Sequence, residues 1–276
     1  MKITIIIINY KTAEMTAAAV RGVLAGAGGG YEIVLIDNHS EDGSTLCLKN
    51  EFGNDLRVRL ITNNENLGFA KAVNQGAKLS TAEYLFLLNS DAKTEGKEIE
   101  KLIKFMDSNR EAAVAGARMV DSTGKPQISF GHFPTLLKEI FFNLYRIFPY
   151  FRIVKYNRFS EKLFRAAHEA DWVSGGAMIL RRDAFELLGG FDDNYFMYIE
   201  DIDLCFRARQ AGLKVYYFPE AQVQHKNKGE ASLQAKIMNY NNLIYFFKKF
   251  YNKRKLYVNL AVGFLNLKLH LIKRIK

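Results

Sequence analysis

ITIIIINYKTAEMTAAAVRGVLAGAGGGYEIVLIDN, residues 3–38, runs from β-branched residues through an alanine-rich stretch into a second apolar run, and this alternation decides the fold. Ile3 to Ile8 is almost continuous isoleucine, as in a strand covered on both faces, and Ala13 to Ala25 reads as a helix laid against it. The order then repeats. Glu32–Ile36 predicts a strand, Ser44–Phe52 a short helix, Val58–Thr62 a strand, Phe69–Leu79 a helix, Tyr84–Leu88 a strand and Glu98–Ser108 a helix. Repeated βα units imply an α/β fold with a mostly parallel sheet and helices on both faces. The glycines of Gly26–Gly30 follow a helix and precede a strand, the wrong context for a dinucleotide loop, so they read as a turn. A dehydrogenase reading loses its main support with them.

Composition narrows the class. The 276 residues are 49% hydrophobic, enough for one large domain or two small ones with a substantial core, which excludes a disordered protein. Cys47 and Cys205 lie far apart among helix-like residues, which points to a reduced, cytosolic chain. The apolar run of MKITIIIINY ends at Asn9 and is followed by Tyr10 and Lys11 where a signal peptide would carry small residues, so it reads as the first strand. The formal charge of +10 is localised: ten of the 39 basic residues and none of the 29 acids lie in residues 231–276. The body is neutral and the tail carries the excess. Its charges alternate with LIYFF, LYVNLAVGFLNL and LHLI, which suits an amphipathic helix on an anionic membrane surface. A plain partner-binding or core-packing helix is the alternative, and nucleic acid is disfavoured. Leu256–Leu267 is too short to cross a bilayer, which takes about 20 residues.

Polar residues recur where open parallel sheets bind ligands, just past the carboxyl ends of the strands. Asn9 and Tyr10 follow the first strand, Asp37 and Asn38 the second, Asn66 and Gly68 the third, and Asn89, Ser90 and Asp91 the fourth. Each alone reads as a turn or cap, but four in succession point to a site. Beyond a turn at Gly124–Pro126 comes a basic, aromatic segment, Pro134–Arg165, whose Leu137, Ile140, Phe141 and Leu144 have helical spacing. It suits a packed helix or a lipid-facing surface. DWVSGGAMILRR, residues 171–182, reads as a strand opened by a glycine pair, and Lys214–Phe218 as another strand. In FMYIEDIDLCFRARQAG, residues 196–212, Glu200, Asp201 and Asp203 interrupt aromatic and aliphatic residues. A structural reading has Asp201 capping a helix, Glu200 favouring its N-terminus and Asp203 pairing with Arg207 for about a few tenths of a kcal/mol.

Taken in order, IIIINYK, IVLIDNHSEDGS, NENLGFAKAVNQG, LFLLNSDA, WVSGGAMILRR, GGFDDNYFMYIEDIDLCFRARQAG and QHKNKGEAS resemble the inverting glycosyltransferases of family 2. The resemblance is greatest to the rhamnosyltransferase-like branch that builds bacterial surface polysaccharides. It implies a GT-A (Rossmann-like), mostly parallel sheet with flanking helices and a C-terminal amphipathic helical tail. Residues 1–125 would form the nucleotide-sugar half, 126–235 the acceptor-binding and catalytic half of the same domain, and 236–276 the basic tail.

The resemblance further implies a nucleotide-diphosphate sugar, dTDP-rhamnose or a UDP-sugar, held by Asn9, Tyr10, Asp37, Gly68, Asn74, Asn89, Asp91 and Gly175. Asp37 would accept from the base N–H, and Gly175 with Gly176 would let the sugar approach the backbone. The family's DxD metal motif reads Asn89-Ser90-Asp91 here, so a divalent cation (Mn2+ or Mg2+) needs a second ligand, and His225 matches a histidine that some relatives use. Asp201 would be the general base, walled by Phe196, Tyr198 and Trp172, with Trp172 and Glu200 contacting a glycan or polyprenyl-linked acceptor. Such an enzyme is expected in the cytoplasm, peripheral on the inner face of the cell membrane, without nucleic acid as a partner. The alternatives are a nucleotidyltransferase, whose basic glycine-rich phosphate loop is not found, and a catalytically silent sugar-binding relative, favoured by the missing first Asp of DxD. Every expected catalytic residue precedes residue 236, so the tail is expected to be removable without loss of donor chemistry.

Overall fold

The computed structural model describes residues 1–26, 30–138, 163–226 and 232–274. The isoleucine run forms β1 (Ile3–Asn9), buried on both faces, and the alanine-rich stretch forms α1 (Ala13–Gly26). β2 (Tyr31–Asp37), α2 (Ser44–Phe52), β3 (Val58–Thr62), α3 (Gly68–Lys78) and β4 (Tyr84–Asn89) follow. The short β5 (Ala92–Lys93), α4 (Gly96–Ser108) and β6 (Ala112–Val120) complete the first half. Each element read from the alternation is present, with ends moved by a residue or two. The second half contains β7 (Phe130–Gly131), β8 (His168–Glu169), β9 (Trp172–Val173), β10 (Ala177–Arg181), α5 (Arg182–Leu187), α6 (Glu200–Gln210) and β11 (Lys214–His225). It closes with α7 (Leu233–Phe250) and α8 (Lys255–Arg274). Ile140, Phe141 and Leu144, expected on a helix, lie outside the described residues.

One compact unit comprises Met1–His132, Phe164–Phe196 and Glu200–Asn227. Its sheet runs β3-β2-β1-β4-β10-β6-β11-β5, with β8 added to β11. The β3-β2-β1-β4 part is parallel and β6 is parallel to β11, as repeated βα units require. The short β5 and β8 pair antiparallel with β11, and β10 is the exception within the central strands. It runs antiparallel between β4 and β6, with Ala177 opposite Leu88, so the glycine pair preceding it lies beside the carboxyl end of β4.

The other unit is built from the described parts of Phe133–Leu163 and Lys228–Lys276 together with Met197–Ile199. The tail expected from residue 236 thus falls in a unit that also takes in Met197–Ile199. Leu243, Phe246 and Phe247 of α7 and Val258, Ala261, Leu265 and Leu269 of α8 are buried. Fully burying one phenylalanine contributes about 1.5–3 kcal/mol, so α7 and α8 are held as a folded helix pair. The Tyr257 ring packs on Phe247 and Tyr251, at centroid distances of 6.1 and 5.4 Å, and its hydroxyl accepts the Leu136 N–H at 2.7 Å. Tyr198 and Ile199 adopt left-handed backbone conformations, φ 74° and 72°. For non-glycine residues this costs about 1–3 kcal/mol each, and more for a β-branched side chain. The Asn242 amide of α7 holds the segment by donating to the carbonyls of Met197 and Tyr198, at 2.8 and 3.0 Å. Glu200 follows directly in the chain.

Candidate active site

The ends of β1 and β2 form a closed polar network. Asn9 is fully buried, and its amide donates to Asp37 Oδ1 at 2.6 Å and Ser40 Oγ at 3.1 Å. Its oxygen accepts the hydroxyls of Thr12 and Thr16, at 3.1 and 2.7 Å. Asp37, also fully buried, takes the Ser40 N–H and the Thr45 hydroxyl on Oδ2. Both residues were expected to touch the donor. These hydrogen bonds also fix the two loops, and Tyr10 beside them is 43% exposed.

Asn74, likewise expected to touch the donor, is hydrogen-bonded within the protein. Its amide donates to the Phe191 carbonyl and to Asp193 Oδ1, both at 2.8 Å, and its oxygen accepts the Phe191 N–H at 2.9 Å. It clamps the loop after α5 onto α3. Gly68, at φ 79°, allows another close approach: the Phe69 N–H donates to the Phe196 carbonyl at 2.6 Å, and a Cβ on Gly68 would lie 2.4 Å from that oxygen. Only glycine fits there.

Past β4, Asn89, Asp91 and His225 come together. His225 Nε2 lies 3.2 Å from Asp91 Oδ1 and 3.5 Å from the Asn89 amide nitrogen, while Nδ1 faces Gln127 Oε1 at 2.9 Å. Asp91 is 6% exposed, and the ladder places Ala92 opposite His225. A carboxylate and an imidazole converging in this way supply the oxygen and nitrogen donors that a small divalent cation accepts. The described residues contain no group of three or more His, Cys, Asp and Glu placed to hold a metal, so further ligands would come from a bound diphosphate and water.

The glycine pair connects this corner to α6. The Asn89 N–H donates to the Gly176 carbonyl at 3.0 Å, and a Cβ on Gly176 would lie 2.9 Å from the Asn89 amide nitrogen. Gly175 N–H donates to Asp201 Oδ2 at 3.0 Å, and Asp201 Oδ1 accepts the Ile202 N–H at 2.8 Å. Burial raises the Asp201 pKa, and these two backbone donors pull it back. The apolar neighbour that sequence reasoning missed is Phe69: its ring edge lies 3.5 Å from the Cβ position of Gly175, with Asp201 Cβ at 3.6 Å. Trp172 packs over Gly131 and donates its indole N–H to the His132 carbonyl at 3.1 Å, Phe196 closes on Gly68, and Tyr198 belongs to the other unit. Asp203 pairs with Arg207 at 2.6 Å, as the helix spacing predicts.

Glu200 is 5% exposed and its Oε2 has no hydrogen-bond partner. It was expected to contact an acceptor, and it is buried next to Asp201 in the chain. Burial first, and then the charge of Asp201, raise its pKa well above the ordinary 4.5.

Comparison with known proteins gives the family and the fold. The profile of glycosyl transferase family 2 matches residues 4–189, and that of the N-terminal domain of galactosyltransferase matches residues 158–229. The chain belongs to glycosyl transferase family 2. It is 29% identical over 208 residues to the N-acetylglucosaminyl-diphospho-decaprenol L-rhamnosyltransferase of Mycobacterium tuberculosis, covering 70% of this chain and 66% of that protein. To rhamnosyltransferase WbbL of Escherichia coli it is 31% identical over 144 residues, 52% of each chain. The chain thus spans between half and two-thirds of these curated relatives. Among solved structures, a mannosyltransferase from Pyrobaculum calidifontis in complex with GDP-Man and Mn2+ shares the fold at a TM-score of 0.64 and 15% identity, covering 100% of this chain and 76% of the other. GalNAc-T7 with UDP, GalNAc and Mn2+ does so at 0.63 and 16%, covering 87% and 47%. The GT-A fold is shown, and the nucleotidyltransferase alternative is left without support.

The buried acid of this family 2 chain has a consequence for stability. Above about pH 4.5 an unfolded chain releases the Glu200 proton while the folded protein retains it, so the folded state binds more protons and stability falls as pH rises towards the folded pKa. Glu200→Gln removes that part of the slope, worth about 1.4 kcal/mol per unit of pKa shift. Thermal melts from pH 4 to 8 should show the variant gaining on the parent as pH rises; parallel curves would show that Glu200 ionises as an ordinary surface acid does.

Proposed function

We propose that this chain transfers a sugar, with inversion, from a nucleotide-diphosphate donor to a hydroxyl of a lipid-linked glycan. The observation that carries the reading is the continuous path Asp201–Gly175–Gly176–Asn89–His225–Asp91, which joins a base to a cation-binding pair through backbone and side-chain contacts. Tyr10 offers its ring to the nucleobase, and Asp91 with His225 would hold a divalent cation. That cation, when bound, neutralises charge on the departing diphosphate.

The chain's own part in the chemistry is proton transfer and placement. Asp201 takes the proton from the acceptor hydroxyl as that oxygen bonds to the anomeric carbon, while the bond from that carbon to the diphosphate oxygen breaks and its electron pair leaves with the nucleotide. The N–H groups of Gly175 and Ile202 keep the carboxylate aimed and oppose the effect of burial on it. Phe69 excludes water from one side. Rhamnose as the sugar, dTDP-rhamnose as the donor and a polyprenyl-diphosphate glycan as the acceptor are supported by the names of the two relatives and of a Shigella flexneri dTDP-rhamnosyl transferase, 25% identical over 201 residues. A UDP-sugar remains the alternative donor, since a TarS structure sharing the fold at a TM-score of 0.58 holds UDP-GlcNAc.

A lipid-linked acceptor places the enzyme at a membrane surface, which we assign to the inner face of the cell membrane. Among the described residues no helix is long and apolar enough to cross a bilayer. The apolar residues of the two C-terminal helices divide between interior and surface. Phe246 is fully buried and Tyr245 half-buried, whereas Leu256, Leu260 and Leu267 stand 75%, 56% and 58% exposed along one stripe of α8. Lys253, Arg254, Lys255 and Lys268 accompany it, each able to contribute about 1 kcal/mol near anionic lipid.

Asp201→Asn should lower turnover by about 10²- to 10⁴-fold and leave nucleotide affinity unchanged. Steady-state transfer across dTDP-rhamnose and UDP-sugars decides it, and turnover within about threefold of the parent would remove Asp201 as base. Serine at Leu256, Leu260 and Leu267 together should abolish cosedimentation with phosphatidylglycerol vesicles at physiological salt while the protein stays folded. Equal pelleting of variant and parent would sink the membrane assignment.

A further inference from the structure

We propose that Gln127 is a positioning residue that turns His225 so that Nε2 presents its lone pair, beside the Asp91 carboxylate, to a divalent cation; the proposal rests on the metal reading of that pair. Gln127 makes two contacts with one residue. Its Nε2 donates to the backbone carbonyl of His225 at 3.2 Å, and its Oε1 stands 2.9 Å from His225 Nδ1. The first contact fixes the second. With the amide nitrogen committed to the carbonyl, oxygen faces the ring, and an amide oxygen only accepts. Nδ1 therefore carries the hydrogen, and a neutral ring then has its lone pair on Nε2, the nitrogen 3.2 Å from Asp91 Oδ1. Two electron-rich atoms at that distance need positive charge between them, supplied by a proton or by a cation.

The backbone makes Gln127 a rigid support. Its N–H donates to the Met119 carbonyl at 2.8 Å, and Val120 bridges to Pro126. Val120 in turn lies opposite Gln224 in the β6–β11 ladder, next to His225. The turn at Gly124–Pro126 thus returns the chain so that Gln127 reaches the far side of the imidazole. Outer partners of this kind orient metal-binding histidines, and losing one typically weakens metal affinity about 10- to 100-fold.

The test uses the full chain with Gln127→Met, which keeps the length and removes both hydrogen bonds, and Gln127→Glu, which keeps an acceptor for Nδ1. In metal-free protein, 15N NMR of the imidazoles should show His225 with its hydrogen on Nδ1 in the parent and in Gln127→Glu, and a loss of that preference in Gln127→Met. Mn2+ titrated alone and followed by EPR should bind Gln127→Met about 10- to 100-fold more weakly than the parent, with most of the affinity restored in Gln127→Glu. In a His225→Ala background the Gln127→Met change should add nothing. Hydrogen on Nε2 in the parent, or undiminished Mn2+ affinity in Gln127→Met, would overturn the proposal. Hydrogen on Nδ1 with Mn2+ affinity unmoved by both Asp91→Asn and His225→Ala would overturn the metal reading and the proposal with it, and the tautomer would then show that the cation was the part that failed.

Discussion

The antiparallel pairing of β10 on β4, with Ala177 opposite Leu88, is the constraint on which the site depends. In an otherwise βα-built sheet this reversed strand carries its preceding loop to the ligand-binding end of β4, where a parallel strand would bring its following loop. Register matters because a slip of one residue turns each side chain of a strand to the opposite face. Gly176 seals the contact, since the space a Cβ would occupy is already filled by Asn89 and Met119, at 2.9 and 3.2 Å. From this point Gly175 reaches Asp201 on one side, and Asn89 reaches His225 on the other.

Around that junction the loops divide into supports and working groups. Asn9, Asp37 and Asn74 are supports whose polar atoms are satisfied within the protein, which holds the strand ends in one arrangement without consuming the groups that face outward. Asp201 and Glu200 are adjacent carboxyls with different surroundings. Two backbone N–H groups hold Asp201 against the effect of burial, while Glu200 is buried deeper and also feels the charge of Asp201. Environment, rather than residue type, separates their protonation. The strained pair Tyr198 and Ile199 leads into these carboxyls, and Asn242 is what holds it. Buried Phe246 and Phe247 of α7 and Ala261 and Leu265 of α8 make the C-terminal helices a folded pair.

Much of the fold was legible because strand and helix periods are local properties of the chain. The isoleucines of β1 and the alanines of α1 announce their elements, and the polar residues at four strand ends mark the correct edge of the sheet. The division between support and working group was not legible, because it depends on which partners tertiary packing brings to each polar atom. Asn9 and Tyr10 are neighbours in sequence, yet one is sealed inside and the other exposed. Phe69 left a signal, a single aromatic among the small residues of GFAKAVNQG, and Gln127 left none beyond its place after a turn. In the tail, composition revealed amphipathic helices but not which apolar residues pack inward: Phe246 is buried and Leu256 exposed although both sit in similar basic and apolar surroundings.

A single carboxylate base acting in one displacement has a stereochemical consequence that can be measured directly. NMR of the glycan formed from a donor of known anomeric configuration reads the configuration at the transferred carbon. One displacement with Asp201 as base predicts the opposite configuration in the product. Retention would require a second displacement and would contradict that assignment.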